Sequence, residues 1–173
     1  MRNLVLTICC VALTGCGSAR TAPVDLDTVR AALSAALQQL DTGINREDPL
    51  LASQVIGKSF VMGSNISIRY LDAPWEGQGP VTFQDFFQAV FTNHANIFHQ
   101  LVLTDIELAG DIAIARVQVQ FNSTRIDRSP PESNFADGED LCVFQREQGS
   151  WLLIDWSEAP PLPDHDQGLL EDL

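Results

Sequence analysis

Six side chains between positions 70 and 155 carry groups that could move a proton or hold a charge. Histidine titrates near neutral pH, a carboxylate can act with it, and a tyrosine hydroxyl can donate a hydrogen bond to a developing oxyanion. Arginine adds a fixed positive charge. These candidate site residues, which include the only tyrosine of the chain, are Tyr70, His94, His99, Arg116, Asp140 and Asp155.

The same residues also have simpler interpretations. Each histidine can be a packed or surface residue instead of a catalyst. Arg116, Gln118 and Gln120 alternate with small or apolar residues, which is typical of the solvent-facing side of a strand. Cys142 lies in an apolar run, so we expect a buried and unreactive thiol there.

Metal and cofactor motifs have little support. His94 and His99 are five residues apart, whereas a spacing of four places two ligands on one face of a helix. The segment Gly77-Gln78-Gly79 lacks the third glycine of a dinucleotide-binding fingerprint. The segment Asp164-His165-Asp166 lies in an acidic tail where solvation is the expected state. We therefore predict no metal site and no cofactor.

The charge of the chain limits its partners. Ten basic residues stand against 23 acidic ones, which gives a formal net charge of −13. A nucleic-acid-binding protein needs a basic surface that neutralises phosphates. The composition therefore predicts no nucleic-acid partner, and it predicts that any attachment to a membrane does not depend on a basic patch.

Apolar spacing predicts two helices before residue 58. In the first, apolar residues recur at intervals of three and four from Leu26 to Ile44, so they fall on one face. Asp25 or Asp27 can cap its start, and Gly43 is expected to end it. The pair Asp48-Pro49 then predicts the start of a short second helix, which we expect to run through Val55 and Ile56 to Gly57.

A third predicted helix carries an aromatic stripe. Thr82 can cap its start, and Val81 can pack on Phe86 as a hydrophobic staple. Its apolar residues recur at helical spacing, and core packing is a simpler interpretation than a cofactor site. They are Phe83, Phe86, Phe87, Val90 and Phe91.

Alternating and apolar runs predict a series of strands. The segment 66–70 alternates over five residues, and Tyr70 would end this first strand. Two hairpins are expected, with turns at 109–111 and 148–150. Residues 122–137, which are polar and contain Pro130-Pro131, are expected to form a long loop. Helices on one face of a mostly antiparallel sheet make an α+β domain.

The N-terminal segment resembles the signal of bacterial lipoproteins. A basic start is followed by an apolar segment of ten residues, 4–13, and the stretch Leu13-Thr14-Gly15-Cys16 that closes it is similar to a lipobox. The run is shorter than the ~20 residues that cross a bilayer. The resemblance implies that residues 1–15 are a signal peptide, that Cys16 is lipidated, and that residues 16–24 are a tether. An ordinary secretory signal that ends near a cysteine is the alternative.

This resemblance also predicts a location. Two or more acyl chains hold a protein stably on a membrane, so we expect a lipid-anchored protein of the cell envelope. Gly17 and Ser18 follow the cysteine with no acidic residue beside it. In a Gram-negative host this favours the outer membrane, facing the periplasm.

Two later stretches resemble strand-turn-strand segments of the NTF2-like superfamily, close to SnoaL-like proteins. They are residues 103–121 and 140–156, and the second contains a Gly-x-Trp sequence. With the first helix, the resemblance covers residues 25–158, and the acidic, proline-rich segment 159–173 would be a tail. It implies an α+β, cystatin-like cone, with three helices packed on a curved, mostly antiparallel sheet.

The resemblance leaves function open, because this superfamily contains enzymes and non-catalytic binders. A pocket between the helices and the sheet would collect the six candidate residues, and His94 or His99 with Asp140 would be similar to the His/Asp pair of dehydratase members. We favour a non-catalytic domain that binds a small apolar ligand or a protein. The alternatives are a homodimeric or mixed assembly module, and an isomerase, dehydratase or hydrolase.

Overall fold

The computed structural model describes residues 25–160, so the predicted signal, lipidation site and tether lie outside the described residues, as does most of the predicted tail. Four helices and five strands follow one another along this part of the chain. Their order is α1 (Leu26–Asn45), α2 (Pro49–Ser53), β1 (Ile56–Met62), α3 (Ser64–Leu71), α4 (Gly79–Asn93), β2 (His94–Ala109), β3 (Ile112–Arg125), β4 (Glu132–Glu147) and β5 (Ser150–Glu158).

The five strands form one sheet in the order β1-β5-β4-β3-β2. Only β1 and β5 run parallel, and the other neighbouring pairs are antiparallel. The helices pack on one face, and the core lies between them and the sheet. The predicted α+β class and mostly antiparallel sheet are confirmed. Within the described residues, no helix is both long enough and apolar enough to span a membrane.

Helix α1 begins where the sequence predicts but ends later. The Asp25 carboxylate accepts hydrogen bonds from the backbone N–H groups of Asp27 and Thr28, which caps the free donors of the first turn. Gly43, the predicted end, lies inside the helix. A Cβ there would lie 2.6 Å from the Cα of Ala52, so only a glycine at this position lets α2 pack this close to α1.

The second helix is also shorter than predicted. Asp48 caps it through the N–H of Leu51, and Pro49 occupies its first turn, as expected. It ends at Ser53, and Ile56 and Gly57 belong to β1 instead. A Cβ at Gly57 would lie 2.8 Å from the Cγ2 of Ile154, so this glycine lets β1 approach β5.

The predicted strand at 66–70 is wrong, because this segment lies in helix α3. Ile66, Ser67 and Tyr70 are buried, a spacing that puts them on one helical face. The buried Ser67 hydroxyl donates to the carbonyl of Ser64, 2.8 Å away. Because Ser67 is polar but buried, the segment alternates between apolar and polar residues as a half-buried strand does. This alternation concealed the helical spacing of its buried residues. Residues 25–160 therefore contain four helices and not the three that were predicted.

The aromatic helix, α4, starts three residues before the predicted cap. Thr82 lies within its first turn, where its hydroxyl donates to the carbonyl of Gln78. Val81 is 68% exposed, so the predicted staple with Phe86 is absent. The predicted aromatic stripe is confirmed, since every one of its apolar residues is buried.

Both predicted hairpins are confirmed, but the loop between them is much shorter than predicted. Residues 122–125 of β3 pair with residues 132–135 of β4, which leaves only 126–131 outside the strands. The polar side chains of this region belong to two paired strands with solvent beside them. Polarity alone could not distinguish such strands from a loop.

Candidate functional site

A chain of three hydrogen-bonded side chains crosses the interior. Asp41 of α1 lies 2.7 Å from Nδ1 of His99 on β2, and Nε2 of His99 lies 2.7 Å from the hydroxyl of Tyr70 on α3. Burial raises the pKa of Tyr70 well above its ordinary value, so this phenol keeps its proton. The Asp41 carboxylate can only accept, so Nδ1–H of His99 donates to it, and in this tautomer of the neutral ring Nε2 accepts from the Tyr70 hydroxyl.

The same part of α1 covers the backbone of β2. The second oxygen of Asp41 accepts from the N–H of Leu101, and the Asn45 amide bonds both the N–H and the carbonyl of His99. Strand β2 is an edge strand of the sheet, so these backbone groups of His99 and Leu101 have no neighbouring strand to pair with. The hydrogen-bonded chain thus joins α1, β2 and α3 into one structure.

His94 is also fixed in the core. Its Nε2 lies 2.8 Å from the backbone carbonyl of Tyr70, and its Nδ1 lies 2.6 Å from the Ser123 hydroxyl. A carbonyl can only accept, so Nε2 carries the proton and Nδ1 accepts from Ser123. Burial lowers the pKa of His94 from its ordinary value, and the nearby Arg125 charge acts in the same direction. The neutral ring is therefore favoured.

Asp140 does not pair with either histidine. Both of its oxygens accept from the Arg69 guanidinium at 2.8 Å, and one also accepts from the indole N–H of Trp156 at 2.8 Å. Burial alone would lower the pKa of Arg69, but the hydrogen bond and charge of Asp140 outweigh it and raise the pKa. This carboxylate is a buried structural partner of Arg69.

Packing around Tyr70 fills the place where a pocket was expected. Its fully buried ring has four aromatic rings around it, at centroid distances of 4.5 to 6.2 Å. These rings come from α4 and from the inner face of the sheet, and they are Phe86, Phe87, Phe121 and Trp156. Four of the six predicted site residues, Tyr70, His94, His99 and Asp140, thus belong to a packed core.

The other two predicted site residues lie away from this interior cluster. Arg116 is on the outer face of the sheet and bonds Glu139 at 2.8 Å. Asp155 is half-buried on β5, opposite Val143 of β4. The structure therefore divides the six candidates between the two sides of the sheet and does not assemble them into one site.

Sequence reasoning missed the partners that explain these residues. Asp41 and Arg69 both lie beside buried residues of their helices. A carboxylate next to the buried stripe of α1 was the available signal for Asp41. No signal pointed to Arg69, because its segment was assigned to a strand.

The outer face of the sheet, formed by alternate residues of β2, β3 and β4, has a different composition. Phe98, Val102, Ile114 and Phe135 are 45, 47, 38 and 58% exposed. The pairing register places Phe98, Asn122 and Phe135 side by side on neighbouring strands, and Gln100 lies beside Gln120 in the same way. Two shallow grooves of about 170 and 210 Å³ lie on this face. Apolar and amide side chains share this face with the charged side chains of Asp105, Glu107, Arg116, Asp137 and Glu139.

Neither a metal cluster nor a reactive thiol lies within residues 25–160. In this range no three or more histidine, cysteine or acidic side chains are grouped in a way that could hold a metal ion. Cys142 is a free, buried thiol, as the sequence predicts. Burial raises its pKa well above the ordinary value, so it is held as the unreactive thiol.

Solved structures with a similar fold are known. A nuclear transport factor 2 (NTF2-like) superfamily protein from Salmonella enterica serovar Typhimurium is 15% identical, over 86% of this chain and 100% of that one, with a TM-score of 0.61. A protein from Kribbella flavida is 13% identical over 80% and 94%, with a TM-score of 0.66. A ketosteroid isomerase-like protein from Erwinia carotovora atroseptica is 17% identical over 76% and 96%, with a TM-score of 0.56.

Sequence comparison gives no further assignment. No family model matches the chain, and no curated protein matches it. At these identities the structural likeness establishes the fold and leaves the activity open. The described part of this chain has the NTF2-like fold.

Proposed function

We propose that the chain is a lipid-anchored protein of the cell envelope whose NTF2-like domain is a non-catalytic protein-binding module. Its partner is a second copy of the same chain, which it contacts through the outer face of the sheet. The anchor is Cys16, and in a Gram-negative host the domain faces the periplasm from the outer membrane. The observation that carries the proposal is the contrast between a packed interior and an exposed, partly apolar outer face.

The packed interior supports a non-catalytic role. A small-molecule site needs a concave cavity with a few polar groups pointing into it. Here the polar groups of the interior bond to one another, and the Tyr70 ring fills the space between α3, α4 and the sheet. A substrate would have to displace that ring.

The composition of the outer face supports a second copy as the partner. Two copies of a chain with a net charge of −13 repel each other, so they can meet only at the end of this face where Phe98, Asn122 and Phe135 lie, away from Asp105, Glu107 and Glu139. Four amides, Gln100, Gln118, Gln120 and Asn122, lie among the exposed apolar residues of this face. An amide both donates and accepts hydrogen bonds, so the face is complementary to itself, as a twofold contact requires.

One observation favours an enzyme or a ligand carrier instead. The Asp41, His99 and Tyr70 side chains have the distances of an acid-base relay. If this chain served a bound molecule, native mass spectrometry of protein purified from its own host would detect a retained small ligand. A mass equal to that of the acylated polypeptide, with no added ligand, favours the binding module.

The anchor has a direct test. Cells that express the chain with Cys16→Ser should show no palmitate labelling of the protein, whereas the unaltered chain should be labelled. Equal labelling of both forms would contradict the anchor, while leaving the contact between copies open to its own experiment.

The contact between copies is tested by co-purification of two differently tagged, lipidated full-length chains from detergent extracts. The paired substitution Phe98→Ser and Phe135→Ser should abolish co-purification. The matched control, Val81→Ser with Ile126→Ser, removes residues that are 68 and 50% exposed in α4 and in the loop after β3, and it should retain co-purification. Loss in both pairs, or in neither, would contradict the outer face as the contact.

A further inference from the structure

We infer that the open edge of β4, residues 133–137, binds an extended segment of another protein, which adds to the sheet as a further antiparallel strand. The segment carries a basic residue opposite Asp137 and a β-branched or aromatic residue opposite Phe135. This contact goes beyond the proposed function, because it uses backbone groups at the side of the sheet and a partner other than a second copy. Three observations support it: the pairing of β4, the sequence after β5, and the charge of the edge.

Strand β4 has a neighbouring strand on both sides for only part of its length. Strand β3 pairs with residues 132–145 without a break in register. Strand β5 pairs with β4 only from Asp140 onwards, and one more bond joins the N–H of Ala159 to the carbonyl of Glu139 at 2.9 Å. Residues 133–137 therefore have a neighbouring strand on one side only.

The backbone groups on the open side follow from that last bond. In an antiparallel pair, alternate residues direct both their N–H and C=O groups towards the same neighbour. Because the Glu139 carbonyl faces β5, the N–H and C=O groups of Asp137, Phe135 and Ser133 face the side that β5 leaves open. No backbone group of residues 25–160 bonds them on that side. Phe135 is 58% exposed, so a partner can reach this edge.

The sequence after β5 is unsuited to fill the open edge. If β5 continued in the same register, positions 161 and 163 would stand opposite Asp137 and Phe135, where their N–H groups would donate to the two carbonyls. Both positions are proline, which has no N–H. A direct extension of β5 would therefore leave both carbonyls without a donor. A strand from elsewhere, with no proline at these two positions, would supply both donors.

The other edges of the sheet are protected against such pairing. At the edge of β1, Val61 already forms a bridge with Gln78. At the edge of β2, side chains of α1 bond the backbone, and farther along the strand has a bulge and the carboxylates of Asp105 and Glu107. Bulges and charges of this kind oppose the addition of a strand. The open edge of β4 has no bulge, and Asp137 is its only charged residue.

Charge selects the kind of segment that binds. The chain has a net charge of −13, and within residues 25–160 Asp137 takes part in no ion pair, so a basic residue is favoured opposite it. An aromatic residue such as Phe135 pairs well with a β-branched or aromatic side chain. In an antiparallel strand the residue opposite Asp137 comes two positions before the residue opposite Phe135. The segment therefore has Arg or Lys, then any residue, then Val, Ile or an aromatic residue.

Binding of a peptide to the full lipidated chain in detergent tests this inference. The probe is a fluorescent peptide, Thr-Thr-Arg-Thr-Val-Thr-Thr, and the matched control carries methyl groups on the backbone nitrogens of its Arg and Val. The control has the same charge but lacks the N–H groups that would donate to Asp137 and Phe135. Fluorescence anisotropy should show that it binds about tenfold more weakly or worse, because two hydrogen bonds are lost. Equal binding of both peptides, or binding of neither, would overturn the inference.

Substitutions in the chain locate the site. Asp137→Lys should weaken binding of the probe by about fivefold or more, because it places two like charges opposite each other. The matched control, Glu107→Lys on the edge of β2, makes the same change of net charge and should leave binding unchanged in salt that screens distant charges. Equal weakening by both variants, or by neither, would contradict the open edge of β4 as the site.

Proline replacement and hydrogen exchange test whether the edge is open. Pro161→Thr with Pro163→Val gives the chain its own donors and should weaken binding of the probe several-fold, whereas Pro160→Thr should not. In the unaltered chain, amide exchange in residues 133–137 should be fast and should slow when the probe is added. Slow exchange without the probe would overturn the inference. Its occupant would then be a second copy if the protection depended on protein concentration, and the chain's own tail if it did not.

Discussion

The two faces of strand β3 show how one segment serves two purposes. The inward side chains, Ala113, Ala115, Val117, Val119 and Phe121, are all completely buried, whereas their outward neighbours include Ile114, Arg116, Gln118 and Gln120. The inward residues pack under the helices as the core of the fold. The outward residues form an exposed surface with both apolar and polar groups.

Polar groups behave differently on the two faces. Inside, the charged and polar side chains are bonded in fixed pairs, and among residues 25–160 the one buried side-chain nitrogen or oxygen without a partner is Nε1 of Trp75. Outside, Arg116 bonds Glu139 while both remain about a third exposed. We therefore expect interior substitutions to affect folding, and outer substitutions to affect association while the fold is retained.

The largest difference in stability is expected between the two arginine pairs. Arg69→Leu leaves the fully buried carboxylate of Asp140 without its cation, which should cost about 3–5 kcal/mol of the free energy of unfolding. Arg116→Leu removes an exposed pair and should cost less than about 1 kcal/mol. Urea denaturation of both variants measures the difference, and equal losses would contradict the distinction between the faces.

A smaller loss is expected for Tyr70→Phe. This change keeps the ring and its aromatic contacts but leaves Nε2 of the buried His99 without its donor. An unsatisfied buried acceptor costs about 1–3 kcal/mol. Chemical denaturation gives the value. An unchanged free energy of unfolding would show that the hydrogen-bonded chain does not hold the interior together.

The pH dependence of stability tests the neutral state of His94. Its pKa is lower in the folded protein than its ordinary value of 6.5, so the unfolded chain takes up more protons in acid. Stability should be full above about pH 6.5 and should decrease as the pH falls below it. His94→Gln should flatten this slope in unfolding measurements from pH 7 to 5.

The Asp127 carboxyl group titrates outside the range from pH 7 to 5. The hydrogen bond from Arg125 lowers the pKa of Asp127 to about 2, so this carboxylate titrates in stronger acid. A slope between pH 5 and 6.5 that persists in His94→Gln would assign the effect to another group.

The smallest change in stability is expected on the outer face. Phe98→Ser and Phe135→Ser alter exposed side chains, and such substitutions usually shift the free energy of unfolding of a monomer by about 0.5 kcal/mol or less. Denaturation at protein concentrations low enough to favour the monomer measures this. A loss comparable to that of Arg69→Leu would mean that these rings belong to the core.

Much of the fold could be predicted because its signals are local. Neighbouring residues are enough to predict the α1 cap at Asp25, the start of α2 at Asp48-Pro49, the aromatic stripe and both hairpin turns. Errors arose where distant contacts decided the outcome. Gly43 and Gly57 permit close packing on Ala52 and Ile154, partners that no local pattern reveals.

The candidate site was less predictable for the same reason. Residue types identified His94, His99, Tyr70 and Asp140, yet their partners are Ser123, Asp41 and Arg69, up to 71 residues away in the chain. Spacing in sequence could not show that Asp140 binds Arg69 and not a histidine. The alternation in β3 predicts that its polar residues face solvent. The alignment of Phe98 with Phe135, in contrast, depends on the register of three strands.

Sedimentation equilibrium tests the central claim most directly, with a soluble form of the chain that begins at Gly17 and keeps every core residue. The unaltered form should have the mass of a dimer, and Phe98→Ser with Phe135→Ser should have the mass of a folded monomer. A monomeric mass for the unaltered form at high concentration would contradict the account, as would a dimer that survives the loss of both rings.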